Sequence, residues 1–243
     1  MLLRRVMEHV RTQNWTAVFL DFVIVIVGVC IGIQIANWND ERLLDKESAV
    51  FVELLKDDIK LAIELTQSRY DFQVERFVDG KDFLTNYKQL GDEADLTDSQ
   101  LNGLRFITFF TIPNIKVGSL KLALSSDSSG LIRNTEVRNA VVNFQKHYGR
   151  IDSVYNRILE RMNLTEPVFN QYRSFAIISS PRDDIEFDDL PMKFDLNKLQ
   201  QSDEFDYAFQ NALWGHHLAM RWAKVTNEQL KVLLAEIKKS TGI

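Results

Sequence analysis

The sequence predicts an all-α protein in which an N-terminal transmembrane helix precedes an extramembrane helical bundle. Three observations support this fold class. Residues 17–37 are apolar except for Asp21, Gln34 and the terminal Asn37. The later segments repeat apolar residues at spacings of three and four, as amphipathic helices do. Only 10 glycines and 4 prolines occur among 243 residues, which disfavours a sheet protein rich in turns.

The apolar run has the length and the flanks of a membrane anchor. Twenty helical residues rise about 30 Å, which is the thickness of the hydrocarbon core of a bilayer. Trp15 and Trp38 flank the run, and we expect both to act as membrane-interface anchors. A cleaved signal peptide would have a shorter apolar core and small residues at a cleavage site. A buried core helix of a soluble protein is the remaining alternative.

Charges beside the run predict its orientation. Arg4, Arg5 and Arg11 precede it, whereas Arg42 and Lys46 follow it. The positive-inside rule then places the N-terminus in the cytoplasm and the large domain outside it. The large domain is thus predicted to be extracytoplasmic. The chain divides into a short N-terminal segment, the transmembrane helix and the extramembrane domain, at residues 1–16, 17–37 and 38–243.

One face of the predicted span carries small and polar residues. Asp21, Gly28 and Gly32 are separated by seven and four positions, so they share a helical face. The Gly28–Gly32 pair lets another helix approach closely, and we interpret this face as a helix-pairing face. The alternative is that the glycine spacing arises by chance and that Asp21 lies near the headgroups. Gln34 points away from this face.

The rest of the chain reads as amphipathic helices. The first has apolar residues from Leu44 to Phe77 at helical spacing. Its opposite face carries Asp45, Glu53, Asp57, Lys60 and Glu64. We expect this helix to break near Asp79–Gly80 and to resume towards Leu90. Thr97 to Gln100 forms a capping-box pattern for a second helix through Phe109. Asn134 and Ser202 are the predicted N-caps of two further helices. Their apolar stripes run from Val137 to Met162 and from Phe205 to Ile237.

Composition and motifs argue against several functions. The net charge of −5 disfavours a nucleic-acid partner, because phosphate contacts need a basic surface. No metal-ligand motif, phosphate loop or nucleophile motif occurs, so the sequence predicts no cofactor, no metal and no catalytic residue. His216 lies on the apolar stripe of its helix and is a weak candidate for a buried histidine that senses pH or binds a metal. An inert core histidine is the commoner case.

Two polar segments leave alternatives open. Residues 183–189, "DDIEFDD", carry five carboxylates, which suit a hard cation, a basic partner or simply a solvated loop. Residues 125–130, "SSDSSG", are interpreted as a turn rich in hydroxyl groups. A weak strand pattern, "SFAIIS", occupies residues 174–179.

Two blocks of the sequence resemble a known family. They are "VIVGVCIGIQIANWNDER" at 25–42, preceded by Asp21, and "LALSSDSSGLIRNTEVRNAVVNFQKHYGRI" at 122–151. The family contains uncharacterised bacterial single-pass membrane proteins and is classified as a domain of unknown function. Asp127 stands where the family pattern leads us to expect glycine, and Asp21 stands where it has glutamate. The resemblance implies an anchor followed by a helical domain, and it implies no activity or substrate. It also implies a location in the inner (cytoplasmic) membrane of a bacterium, with the large domain periplasmic or otherwise extracytoplasmic.

The favoured functional hypothesis is a membrane-anchored, non-enzymatic helical protein that associates with itself or with another membrane protein. Its predicted partners are the lipid bilayer and either a homo-oligomer or a membrane-protein partner. A bundle that senses a small ligand and signals through a partner is the alternative. An enzyme is the least favoured hypothesis.

Overall fold

The computed structural model describes residues 15–91, 96–112, 114–125, 130–175 and 192–242. Within them the predicted fold class is confirmed, because a long N-terminal apolar helix is followed by a helical bundle and very little strand. Close backbone contacts group the chain into two compact units, Met1–Val50 and Phe51–Ile243.

Helix α1 spans Trp15–Asn86, and a single 3-10 turn at Tyr87–Gln89 follows it. The predicted break at Asp79–Gly80 is wrong, because the helix continues through Gly80. A Cβ atom on Gly80 would lie only 2.7 Å from the Ile107 side chain and 2.9 Å from that of Leu213. Glycine therefore serves close packing here and does not end the helix.

Helix α2 spans Asp98–Phe106 and begins with the predicted capping box. The Thr97 hydroxyl accepts from Gln100 N, and the Gln100 side chain accepts from Thr97 N. Helix α3, Gly118–Ala123, was not predicted. The Asp58 carboxylate of α1 accepts the backbone N–H of Ser119 at 2.6 Å, so a residue 61 positions away supports its first turn.

The two long C-terminal helices begin where the sequence predicts. Helix α4, Thr135–Phe169, is capped by the Asn134 side chain and extends past Met162, with Pro167 in its last turn. Helix α5, Leu196–Gln200, is a short unpredicted helix. Helix α6, Asp203–Thr241, is capped by Ser202. Every member of the predicted α6 stripe is buried: Phe205, Phe209, Ala212, His216, Ala219, Ala223, Leu230, Leu233 and Ile237.

A small hairpin connects α4 to α5. Strand β1, Arg173–Phe175, pairs antiparallel with β2, Met192–Phe194. The weak strand pattern at 174–179 begins inside β1, but residues 176–179 lie outside the described residues.

Two apolar clusters form most of the core of the second unit. One is rich in aromatic rings and includes Phe83, Phe169, Phe205 and Phe209. The other is largely aliphatic and includes Leu55, Ile59, Val137 and Leu230. Helices α4 and α6 supply residues to both clusters and run against each other along the unit.

Candidate functional site

From Phe19 onward, where its side chains are described, the apolar part of α1 buries none of them. Its most apolar window has a mean hydropathy of 2.5, and no residue in that window is buried. A soluble core helix would bury one face, so the burial pattern differs from that alternative. One helix of this length and composition is compatible with a single-pass membrane protein, and a signal sequence meets the same criterion.

The helix-pairing face predicted from the sequence is open. Cβ atoms added to Gly28 and Gly32 would meet nothing within 4 Å, and Asp21 is exposed. Trp38 is 63% exposed, and the Arg42 guanidinium lies 5.9 Å from the centre of its ring. The side chain of Trp15, the other predicted anchor, lies outside the described residues. The exposed backbone at the glycines leaves room for a second helix.

His216 lies in the interior of the second unit with no exposed surface. Its Nε2 lies 2.7 Å from the carbonyl oxygen of Ile107, and its Nδ1 contacts the side-chain amide of Gln73. Gln73 in turn donates to the carbonyl oxygen of Thr111 at 3.2 Å. Residues 107–112 and 114–117 are not part of a helix or strand, so their backbone carbonyls need other hydrogen-bond partners. The side chains of His216 and Gln73 supply them at Ile107 and Thr111.

Burial determines the charge state of His216. Loss of hydration lowers the pKa of its imidazole from 6.5 to about 4, and the nearby positive charge of Arg76 adds to this effect, although the bond to Ile107 opposes it. The ring is therefore neutral at pH 7 and has one N–H. Because the carbonyl of Ile107 can only accept, Nε2 carries the N–H and donates to it. This geometry suits a structural hydrogen-bonding role.

Arg76 is the charged neighbour of this histidine. Its guanidinium lies between two rings, 5.0 Å from the centre of Phe72 and 4.6 Å from that of Phe106. Its Nε and Nη1 atoms are buried and have no hydrogen-bond partner among the described residues. Stacking on aromatic faces partly compensates a guanidinium for lost hydration. A cation beside His216 disfavours protonation of the ring and binding of a second cation there.

Other predicted features do not assemble into a reaction site. In the described parts of the chain, no three histidine, cysteine or acidic side chains converge as metal ligands. His217 is exposed and packs its ring 5.6 Å from that of Phe77. The acidic run at 183–189 lies outside the described residues, as do residues 126–129 of "SSDSSG".

The surface between α4 and α6 holds two cavities that sequence reasoning missed. One, of about 380 Å³, is lined by Lys146, His147 and Arg150 of α4 together with Val232 of α6. The other, of about 530 Å³, is lined by Arg157 and Arg161 of α4 and by Trp214 and Leu218 of α6. The α4 residues recur at steps of three, four and seven, so the sequence places them on one helical face. The cavities themselves need the neighbouring helix α6, which no local pattern identifies.

Comparison with curated proteins gives no match, and comparison with solved structures gives none. The resemblance to an uncharacterised family is confirmed by a family model. That model matches residues 21–190, more than half of the 243 residues, and the chain therefore belongs to the family described as Family of unknown function (DUF6090).

Proposed function

We propose that this chain is a membrane-anchored helical protein whose role is to associate with itself or with another membrane protein. The observation that carries the proposal is the apolar segment of α1, which buries none of its side chains within the described residues. Transfer of exposed apolar surface out of water is worth about 25 cal/mol per Å². A bilayer provides such an environment for a segment of this length.

The ends of the segment support insertion in one direction. Arg4, Arg5 and Arg11 precede it, and charges resume at Asp40 and Glu41. We place the N-terminus in the cytoplasm and the large domain outside it, in the periplasm of a bacterium.

Membrane extraction tests the anchor and its direction. Carbonate-washed membranes should retain the full-length chain with residues 1–16 attached, whereas a cleaved signal sequence would yield a soluble, trimmed chain. A reporter fused after Ile243 should be active only if it is a type that works outside the cytoplasm. Activity of a reporter that works only in the cytoplasm would reverse the proposed orientation.

Association through the span is proposed to use the face of Asp21, Gly28 and Gly32. Helices in lipid gain little from hiding apolar surface, so they associate through close packing and polar contacts. Gly28→Leu or Gly32→Leu should lower the yield of crosslinked oligomer while leaving insertion unchanged. Val27→Leu and Gln34→Leu lie off this face and serve as matched controls. If all four variants associate like the parent, the glycine face is not the contact.

Ligand sensing by the bundle has less support. A sensor would need a roomy cavity among the helices. The interior instead holds fully buried Leu55, Phe205 and Phe209, and the two cavities described above open at the surface. Surfaces available to a macromolecular partner therefore favour the interaction role.

A further inference from the structure

The exposed side of helices α4 and α6 forms a basic groove. We define the basic groove by Lys146, Arg150, Arg157 and Arg161 of α4 and by Trp214 and Leu218 of α6, which line the two cavities. Four cations face two acids in these linings, Glu160 and Glu236. A chain with a net charge of −5 thus concentrates positive charge along one groove.

The basic groove also exposes large apolar side chains. Leu164 is 77% exposed and Trp214 is 47% exposed. The Arg161 guanidinium lies 4.8 Å from the centre of the Trp214 ring. Tryptophan and arginine are the residue types that most often dominate binding energy at interfaces. The groove therefore has the composition of a site for an acidic, amphipathic helix.

A surface with the opposite character lies on α1, within the second unit. We call it the acidic ridge: Glu53, Asp57, Glu64, Asp71 and Glu75, with the exposed leucines Leu54 and Leu61. The five acids are separated by four or seven positions, so they lie on one helical face. Lys56 and Lys60 pair with two of these acids, Glu53 at 2.8 Å and Asp57 at 2.7 Å, so they offset only part of this negative charge.

The two surfaces match in length. From Glu53 to Glu75 the helix rises about 33 Å, and from Asn143 to Leu164 it rises about 32 Å. The acidic ridge cannot reach the groove of its own chain, because the opposite face of α1, with Leu55, Ile59 and Ala62, is buried in the core. Its counterpart must belong to another molecule.

We propose that the acidic ridge of one copy docks into the basic groove of a second copy of this chain. Helices α1 and α4 run in the same direction within the second unit, and two copies anchored in one membrane keep this direction. Leu54 and Leu61 then lie near Val232, and Val78, which is 55% exposed at the far end of the ridge, packs against Trp214 and Leu218, while the carboxylates face the arginines of α4. The proposal rests on the proposed self-association, but it uses a contact distinct from the glycine face of the span. Opposite charge on long, parallel rows gives both orientation and selectivity to such a contact.

Crosslinking between two differently tagged full-length chains tests the contact directly. Both chains carry Cys30→Ser, which removes the only cysteine. One chain then carries Val78→Cys and the other Leu164→Cys, both at exposed positions. After the chains are mixed in detergent micelles, a bismaleimide should link them at least tenfold more than when Leu122→Cys replaces Leu164→Cys. Leu122 is 52% exposed on α3, outside the groove. Equal yields would overturn the proposal.

Charge exchange gives the second measurement. Arg157→Glu with Arg161→Glu should reduce the crosslink about tenfold, and Asp71→Lys with Glu75→Lys on the other chain should restore it. Lys81→Glu with Lys121→Glu makes the same change of charge at exposed positions outside the groove and should have no effect. A yield that does not respond to charge reversal, or is not restored by the exchange, would overturn the docking.

Repeating the crosslinking in chains that also carry Gly28→Leu and Gly32→Leu distinguishes the groove contact from the contact between the spans. A crosslink that persists after the span contact is lost supports the groove as an independent interface. Loss of the crosslink between positions 78 and 164 while the span still associates would reject the groove and leave the proposed function intact.

Discussion

Two stretches of helix α1 treat their apolar side chains in opposite ways. Ile24 is 60% exposed within the continuous apolar run, whereas Ile59 is fully buried, in a segment where apolar residues alternate with charged ones. The residue type is the same in both places. What differs is the pattern, because an amphipathic face has partners within its own unit and a helix that is apolar on all sides has none. The arrangement of apolar residues along a helix, more than its overall hydrophobicity, therefore indicates whether protein or lipid surrounds it.

The largest expected effect comes from truncating the buried member of this pair. Ile59→Ala removes packed methyl groups and leaves a cavity in the aliphatic cluster, so it should lower the free energy of unfolding of the domain by about 2–5 kcal/mol. Urea unfolding of the full-length chain in detergent micelles, followed by circular dichroism, measures this loss.

Ile24→Ala is the matched control. Because Ile24 has no packed neighbours in the fold of the domain, the free energy of unfolding should stay within about 0.5 kcal/mol of the parent value. Membrane retention should also persist, since one shortened side chain leaves most of the run apolar. Equal destabilisation by the two substitutions would contradict the difference drawn between the two stretches.

A second prediction concerns His216 of α6, which is buried against Gln73 of α1. The pKa of His216 is lowered from 6.5 in the unfolded chain to about 4 in the folded one. Between these values the unfolded chain binds more protons, so stability is full above pH 6.5 and falls as pH decreases towards 4, by roughly 3 kcal/mol in total. In His216→Gln this part of the pH dependence should disappear.

Unfolding free energies of parent and variant at pH 7 and pH 4.5 provide the measurement. His216→Gln loses hydrogen-bond geometry at both pH values, so the difference between the two pH values is the quantity to compare. An unchanged pH dependence in His216→Gln would show that other groups cause it.

The smallest expected effect is at an exposed helix N-cap, whose side chain stabilises the helix by accepting backbone hydrogen bonds and not by being buried. Asn134 accepts from the backbone N–H groups of Glu136 and Val137 at 2.9 and 3.1 Å. Asn134→Ala should therefore lower the unfolding free energy by about 1 kcal/mol. Asn163→Ala, at an exposed position inside α4, makes the same change without a cap and should be neutral or slightly stabilising. A similar loss in both variants would exclude capping as the cause.

The sequence was most informative where local chemistry determines structure. Thr97, Asn134 and Ser202 cap their helices through their own side chains, and a motif of a few residues is enough to recognise each one. Helix α3 depends on Asp58, and the continuation of α1 through Gly80 depends on Ile107 and Leu213. Those partners are distant in the chain, so no local pattern contains them. The basic groove was missed for the same reason, since it exists only once α4 and α6 lie side by side.

The hydrogen bonds of His216 have a consequence for the order of folding. They join α6 to Gln73 and Ile107, which lie 143 and 109 residues earlier. Chains are synthesised at about 5–20 residues per second, so these partners wait several seconds for α6 to emerge. Until α6 is made, the apolar faces of α1 and α4 that pack against it remain uncovered. A nascent chain at this stage is open to binding by chaperones, and a delay in translation before residue 203 should lengthen that exposure.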